Sequence, residues 1–113
     1  MLNNNMFELK ESEINGTGIF ATEYIAENTI IGTWCTKDRT QGIRFLFNEG
    51  MECIWYETEI LGRYCNHNIS PNTYIQVNSS DLVLISKGIL KDEEILTNYN
   101  WVKEYIGFNV IIP

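Results

Sequence analysis

The apolar and β-branched residues of this chain come in short runs, each closed by a turn signal, and that rhythm restricts it to folds built from small sheets. Thr29-Ile30-Ile31-Gly32-Thr33-Trp34-Cys35 is the strongest run, with the composition of a strand buried on both faces. Met6 to Lys10 reads as an earlier strand. Asn15-Gly16-Thr17-Gly18 then supplies a turn with two residues free to take positive φ, and β structure resumes near Ile19. Ile25 to Asn28 is a connection, and residues 36–42 form a polar loop. Ile43 to Phe47 and Glu52 to Tyr56 predict a hairpin around Asn48-Glu49-Gly50. Tyr74 to Val77 and Leu82 to Ser86 predict a second around Asn78-Ser79-Ser80-Asp81, and Lys91-Asp92-Glu93-Glu94 marks another turn. Stretches with a helical period are short, so the pattern predicts a mainly β domain.

At 113 residues the chain suits one domain with a single core, and 44% hydrophobic content argues against disorder. The formal charge of −7, with only eight basic residues and those scattered, excludes direct binding to nucleic-acid phosphates as a first reading. An acidic surface favours a basic peptide or protein partner, or serves solubility alone. Cys35, Cys53 and Cys65 are odd in number and widely spaced, which predicts reduced, mostly buried thiols and no metal site. The N-terminus lacks a basic segment followed by an apolar run. No apolar stretch approaches the ~20 residues needed to span a bilayer. An intracellular, soluble protein with no membrane partner is expected.

Arg63-Tyr64-Cys65-Asn66-His67-Asn68-Ile69-Ser70-Pro71-Asn72 concentrates the only histidine and one of the two prolines among side-chain amides. A buried amide left unbonded costs about 1–3 kcal/mol, so these groups need partners. Asn66-His67 and Pro71-Asn72 could read the edge of a heterocycle such as adenine, or could form a polar turn satisfied within the protein. Gly16-Thr17-Gly18-Ile19-Phe20-Ala21 fits either a backbone that approaches a ligand or a simple β-turn. It lacks the third glycine and following helix of a dinucleotide fingerprint. Glu93 to Trp101 ends a short apolar strand with Tyr99 and Trp101, two aromatics that could close the core.

In this order the three segments resemble the SET domain, the family of S-adenosylmethionine-dependent protein lysine methyltransferases. Glu11 to Gly32 is similar to the family's opening strand, GxG-hydrophobic-Phe-Ala unit and second apolar strand. Arg63 to Asn72 is similar to its Arg-Phe-x-Asn-His-Ser-x-x-Pro-Asn segment, and Lys91 to Trp101 to its Gly-Glu-Glu-Leu-Thr-x-x-Tyr segment. The resemblance implies a single SET domain over 1–113, with residues 6–101 following the pattern and 102–113 as a C-terminal extension. It implies a β-clip fold of several small sheets, in which the Asn-His segment is threaded beneath the loop carrying Tyr99 as a C-terminal pseudoknot.

The resemblance also implies roles. Gly16, Thr17 and Gly18 would cradle the methionine part of S-adenosylmethionine. Asn66 and the backbone of His67 would hold its amino group and adenine, Arg63 would contribute to that site, and Trp101 would pack on the adenine. Tyr99 matches the catalytic tyrosine and contacts the cofactor as well. His67 would act through its backbone rather than its imidazole. Phe45 and Phe47 stand where the family carries an aromatic pair and would pack the core or wall a lysine channel, together with Thr97.

Some positions depart from the pattern. Asn68 replaces a serine, Lys91-Asp92 stands where glycine precedes the paired glutamates, and Thr97 occupies a position that is often Phe or Tyr. Cysteine-rich zinc-binding flanks are missing, as in small viral members of the family, which pair as dimers. A homodimer is therefore expected, and the many Asn and Ile residues are compatible with an AT-rich viral or bacterial genome. The substrate implied is a protein or peptide presenting a lysine, such as a basic histone tail. Two rivals remain: a SET-fold binding module without turnover, and a structural β-protein without cofactor affinity.

Overall fold

The computed structural model describes residues 6–38, 40, 42–47, 54–78 and 80–105, and for residues 42–47, 54 and 103 it describes the backbone alone. In chain order the elements are β1 (Phe7–Glu11), β2 (Thr17–Ala21), β3 (Ile30–Thr36), β4 (Gly42–Phe47), β5 (Ile54–Thr58), α1 (Leu61–Tyr64), β6 (Asn66–His67), β7 (Thr73–Val77), β8 (Asp81–Ser86), β9 (Leu96–Thr97) and α2 (Asn100–Tyr105). They form an antiparallel β1-β2 ribbon, a five-stranded sheet in the order β4-β5-β3-β8-β7, and a parallel β6-β9 pair. The fold is the mainly β arrangement of small sheets that the short apolar runs and turn signals predict.

Alternation explains which face each strand buries. In β2, Ile19 and Ala21 are buried while Phe20, between them, is only partly covered. β8 lies between β3 and β7, and Leu82 to Ser86 are all buried, as a strand covered on both faces should be. Ile31, Trp34 and Cys35 of β3 join Leu82 and Leu84 in the core with Ile19, Leu61, Ile89 and Ile95. Ile30, at the start of β3, is 61% exposed, so that strand is buried on both faces only over its later part.

Several predicted boundaries move. Gly18 belongs to β2, and of the two turn glycines only Gly16 takes a positive φ, of 50°. The strand expected over Glu52 to Tyr56 continues to Thr58, while residues 52 and 53, with Cys53, and the predicted turn at residues 48–50 lie outside the described residues. At the turn where the family pattern has glycine, Asp92 takes φ 70°, a conformation that Asp and Asn tolerate better than other side chains.

The two helices are additions to the sequence reading. α1 is one turn wedged beneath β3 and β5, and Gly62 makes the wedge possible. A Cβ there would stand 2.5 Å from the Trp34 carbonyl oxygen and 2.9 Å from the Glu57 backbone. Thr58 locks the junction: its hydroxyl lies 2.7 Å from the Thr33 carbonyl oxygen and accepts the Gly62 N–H at 2.9 Å. α1 hands the chain directly to Cys65 and β6, so this wedge sets where the amide cluster begins. No helix among the described residues is long and apolar enough to cross a membrane.

Candidate active site

The amide cluster and the C-terminal aromatics, far apart in sequence, meet along β6 and β9. Asn66 pairs with Leu96 and His67 with Thr97, and the Asn68 N–H donates to the Thr97 carbonyl at 2.9 Å. A parallel pair needs a long crossover, supplied here by the β7-β8 hairpin, and the pairing is the one a C-terminal pseudoknot requires. Asn72 fastens it. Its Nδ2 donates to the Glu94 carbonyl at 2.8 Å, and its Oδ1 accepts the Leu96 N–H at 2.9 Å. The Thr73 hydroxyl donates to the Leu96 carbonyl at 2.7 Å. The Asn72 amide is thus spent on backbone, and the satisfied-turn reading holds for that residue in place of a heterocycle reader.

Tyr99 is tied to the opposite strand at two points. Its hydroxyl donates to the Cys65 carbonyl at 3.0 Å, and its backbone N–H donates to Nδ1 of His67 at 3.0 Å. The two rings lie 5.1 Å apart, tilted by 46°. An accepting Nδ1 requires the neutral ring with its proton on Nε2. The imidazole of His67 therefore has a structural task, in addition to any its backbone performs. The sequence conveys the residue but not the bond, because the donor lies 32 positions away.

Asn66 is 4% exposed, and both protons of its amide nitrogen are used. Nδ2 donates to the Asn15 carbonyl at 3.1 Å and to Oε2 of Glu94 at 2.8 Å. The Ser12 hydroxyl donates to the other oxygen of Glu94 at 2.7 Å. Gly18 makes room for this carboxylate, since a Cβ there would fall 2.3 Å from Oε2. With its nitrogen committed to two acceptors, Asn66 has Oδ1 as the acceptor it can offer a ligand. An ammonium donor fits that geometry, and S-adenosylmethionine carries one at its amino-acid end.

The other predicted site residues are placed as follows. Gly16 and Thr17 are exposed at the start of β2, with open space around the position a Gly16 Cβ would take. Arg63 is exposed on α1, with its guanidinium over the Tyr64 ring at 5.3 Å. Trp101, on α2, meets Trp34 edge-on at 6.3 Å and is partly buried against the core. Thr97 is fully buried in β9, and its hydroxyl has no hydrogen-bond partner among the described residues. Phe45 and Phe47 lie in β4, opposite Tyr56 and Ile54, and their side chains lie outside the described residues.

Two contributors carry no mark of their own in the sequence: Ser12 and the carbonyl of Cys65. Glu94 is one of the paired glutamates in the Lys91 to Trp101 match, which gives it no role in the site. Cys65 is also buried, with its thiol donating to the Ile95 carbonyl at 3.3 Å. Burial raises its pKa far above the usual thiol range, with a smaller push from Glu94. Cys35 is raised in the same way by burial, and then by Glu57 and Cys65.

The SET-domain family model matches residues 16–100, a span that includes the β2 turn, the amide cluster and Tyr99. The chain belongs to the SET-domain family. Solved structures share the fold of this SET domain. A Plasmodium falciparum protein assigned as a histone methyltransferase is 24% identical, with a TM-score of 0.58, and the match covers 85% of this chain and 94% of that one. Chaetomium thermophilum Polycomb Repressive Complex 2 bound to S-adenosylmethionine is 23% identical over 84% of this chain, with a TM-score of 0.62. A humanized mutant of that complex with an inhibitor bound is 26% identical over 82%, with a TM-score of 0.61. This SET domain spans only about 14–15% of the chains in those complexes. No curated protein sequence matches it.

Proposed function

We propose that this SET domain is a protein lysine methyltransferase that uses S-adenosylmethionine. The observation that carries the reading is the double tether of Tyr99: hydroxyl to Cys65, backbone N–H to His67. The tether supports reading Tyr99 as the catalytic tyrosine next to a segment that would hold the cofactor.

When bound, S-adenosylmethionine supplies a methyl group on a sulfonium, whose charge also disfavours the protonated form of an incoming amine. The chain's own task is then alignment more than base catalysis, because a lysine of pKa about 10.4 has only to arrive neutral. Asn66 Oδ1 and the His67 backbone hold the cofactor, with Gly16 to Gly18 alongside. Tyr99 gives its proton to Cys65, so what it presents to substrate is an oxygen lone pair in a fixed position. Arg63, Trp101, Phe45, Phe47 and Thr97 belong to the same reading as more peripheral contributors. The formal charge of −7 supports a basic substrate segment.

The test is incubation with methyl-labelled cofactor and a cell extract. Label on lysine from the wild type, lost with Tyr99→Phe, is the expected result. Cofactor binding with no transfer to any protein would leave a binding module in place of an enzyme.

A further inference from the structure

The carboxylate of Glu94 sits where nothing in the turn it ends requires it. Ser12 Oγ donates to Oε1 at 2.7 Å and Asn66 Nδ2 to Oε2 at 2.8 Å, while the backbone of Glu94 is held by the Asn72 amide and by a bridge to Phe20. Gly18 leaves the space that its Oε2 fills. Both hydrogen-bond donors are neutral, and no Lys or Arg among the described residues pairs with it. The nearest ammonium along the ribbon, that of Lys10, lies 3.6 Å from Glu8 and 4.0 Å from Asp92 instead. Glu94 also lines a cavity of about 490 Å³ whose other charged walls are Lys10, Glu11 and Glu13, so the surroundings are net negative.

Two consequences follow for Asn66. If its amide turned over, Oδ1 would face the Glu94 carboxylate and the Asn15 carbonyl, acceptor against acceptor. Glu94 therefore fixes which end of the amide faces a ligand. The carboxylate also adds an uncompensated negative charge one hydrogen bond behind the accepting oxygen, which favours a cation there. We propose that Glu94 is a positioning residue that makes this site selective for the α-ammonium of the cofactor, acting through Asn66, with Ser12 holding the carboxylate in place. This rests on the cofactor reading above and extends it to a residue outside the predicted site.

The experiment compares two ligands. S-adenosylhomocysteine carries the α-ammonium, whereas 5′-methylthioadenosine keeps the adenosine and thioether but lacks the amino acid. Their affinities are measured by calorimetry for the wild type, Glu94→Gln and Ser12→Ala, with thermal midpoints recorded beside them. Glu94→Gln keeps the shape of the side chain and removes its charge. It is expected to weaken S-adenosylhomocysteine on the order of tenfold or more, the scale of a charge-assisted hydrogen bond, and to leave 5′-methylthioadenosine within about twofold. Ser12→Ala removes the donor to the far oxygen, and with it the acceptor of the Ile14 N–H; it is expected to shift the same ratio in the same direction by a smaller factor, and it serves if Glu94→Gln does not fold. Equal weakening of both ligands, or no change in their ratio in either variant, overturns the role of Glu94 while leaving the cofactor site intact. A wild type that binds neither ligand overturns the cofactor reading and this inference with it.

Discussion

The imidazole of His67 accepts the backbone N–H of Tyr99 through Nδ1 at 3.0 Å, so the side chain in the middle of the amide cluster sets the backbone position of the tyrosine. His67→Phe keeps a ring against Tyr99 but removes the acceptor. Leaving that part-buried N–H unbonded is expected to cost about 1–3 kcal/mol in urea denaturation. Methyl transfer should fall further than cofactor affinity, because the tyrosine is what moves. An unchanged denaturation midpoint would contradict the assignment of this bond.

Asn72 is expected to matter for the fold more than for the ligand. Asn72→Ala removes two hydrogen bonds that close the β6-β9 pair, and a loss of about 1–3 kcal/mol is expected. Asn72→Asp keeps the acceptor for Leu96 but sets a carboxylate oxygen against the Glu94 carbonyl, acceptor against acceptor, so it should be no more stable than alanine. Chemical denaturation of the three proteins gives the ordering, and aspartate as stable as the wild type would argue against the clamp.

Thr97 carries a buried hydroxyl without a partner among the described residues. Removing a group that makes no bond is neutral or favourable, so Thr97→Val is expected to hold or raise the thermal midpoint. Thr97→Phe, the residue type frequent here in the family, must enter a fully buried position and is expected to cost about 1–3 kcal/mol through overpacking. A large loss with valine would mean that the hydroxyl is bonded in solution.

The buried thiols give the fold a weakness to alkali. Unfolded thiols ionise near pH ~8.5, whereas burial raises the pKa of Cys35 and Cys65 in the folded protein well beyond that. The folded state then keeps protons that the unfolded state releases. Their contribution is present in full below pH ~8.5 and is lost as pH rises, by about 1.4 kcal/mol per pH unit for each thiol. Urea midpoints measured from pH 7.5 to 10 should decline more steeply for the wild type than for Cys35→Ala or Cys65→Ala. Equal slopes would show that the thiols do not couple to folding.

The hairpins were legible in the sequence because alternation and turn residues are local signals: Tyr74 to Val77 and Leu82 to Ser86 pair as their pattern implies. α1 was not legible, since a single turn such as Leu61–Tyr64 has no period to detect and contains a glycine that helix propensity disfavours. Its reason to exist is steric, in the approach of Gly62 to Trp34. The need of Asn66 for partners could be read from its type, but the partners could not. Glu94 and Ser12 are joined by a hydrogen bond that spans 82 positions, and no spacing rule reaches that far. The resemblance brought the segments to one site; the bonds that orient Asn66 and Tyr99 appear only when the chain is folded.

The most direct test of the site is a calorimetric titration of S-adenosylhomocysteine into the wild type and Asn66→Ala. Saturable one-to-one binding that weakens at least about tenfold in the variant is the result predicted. No binding to the wild type, or equal affinity for the two proteins, would contradict the assignment of Asn66 and with it the placement of the cofactor beside Tyr99.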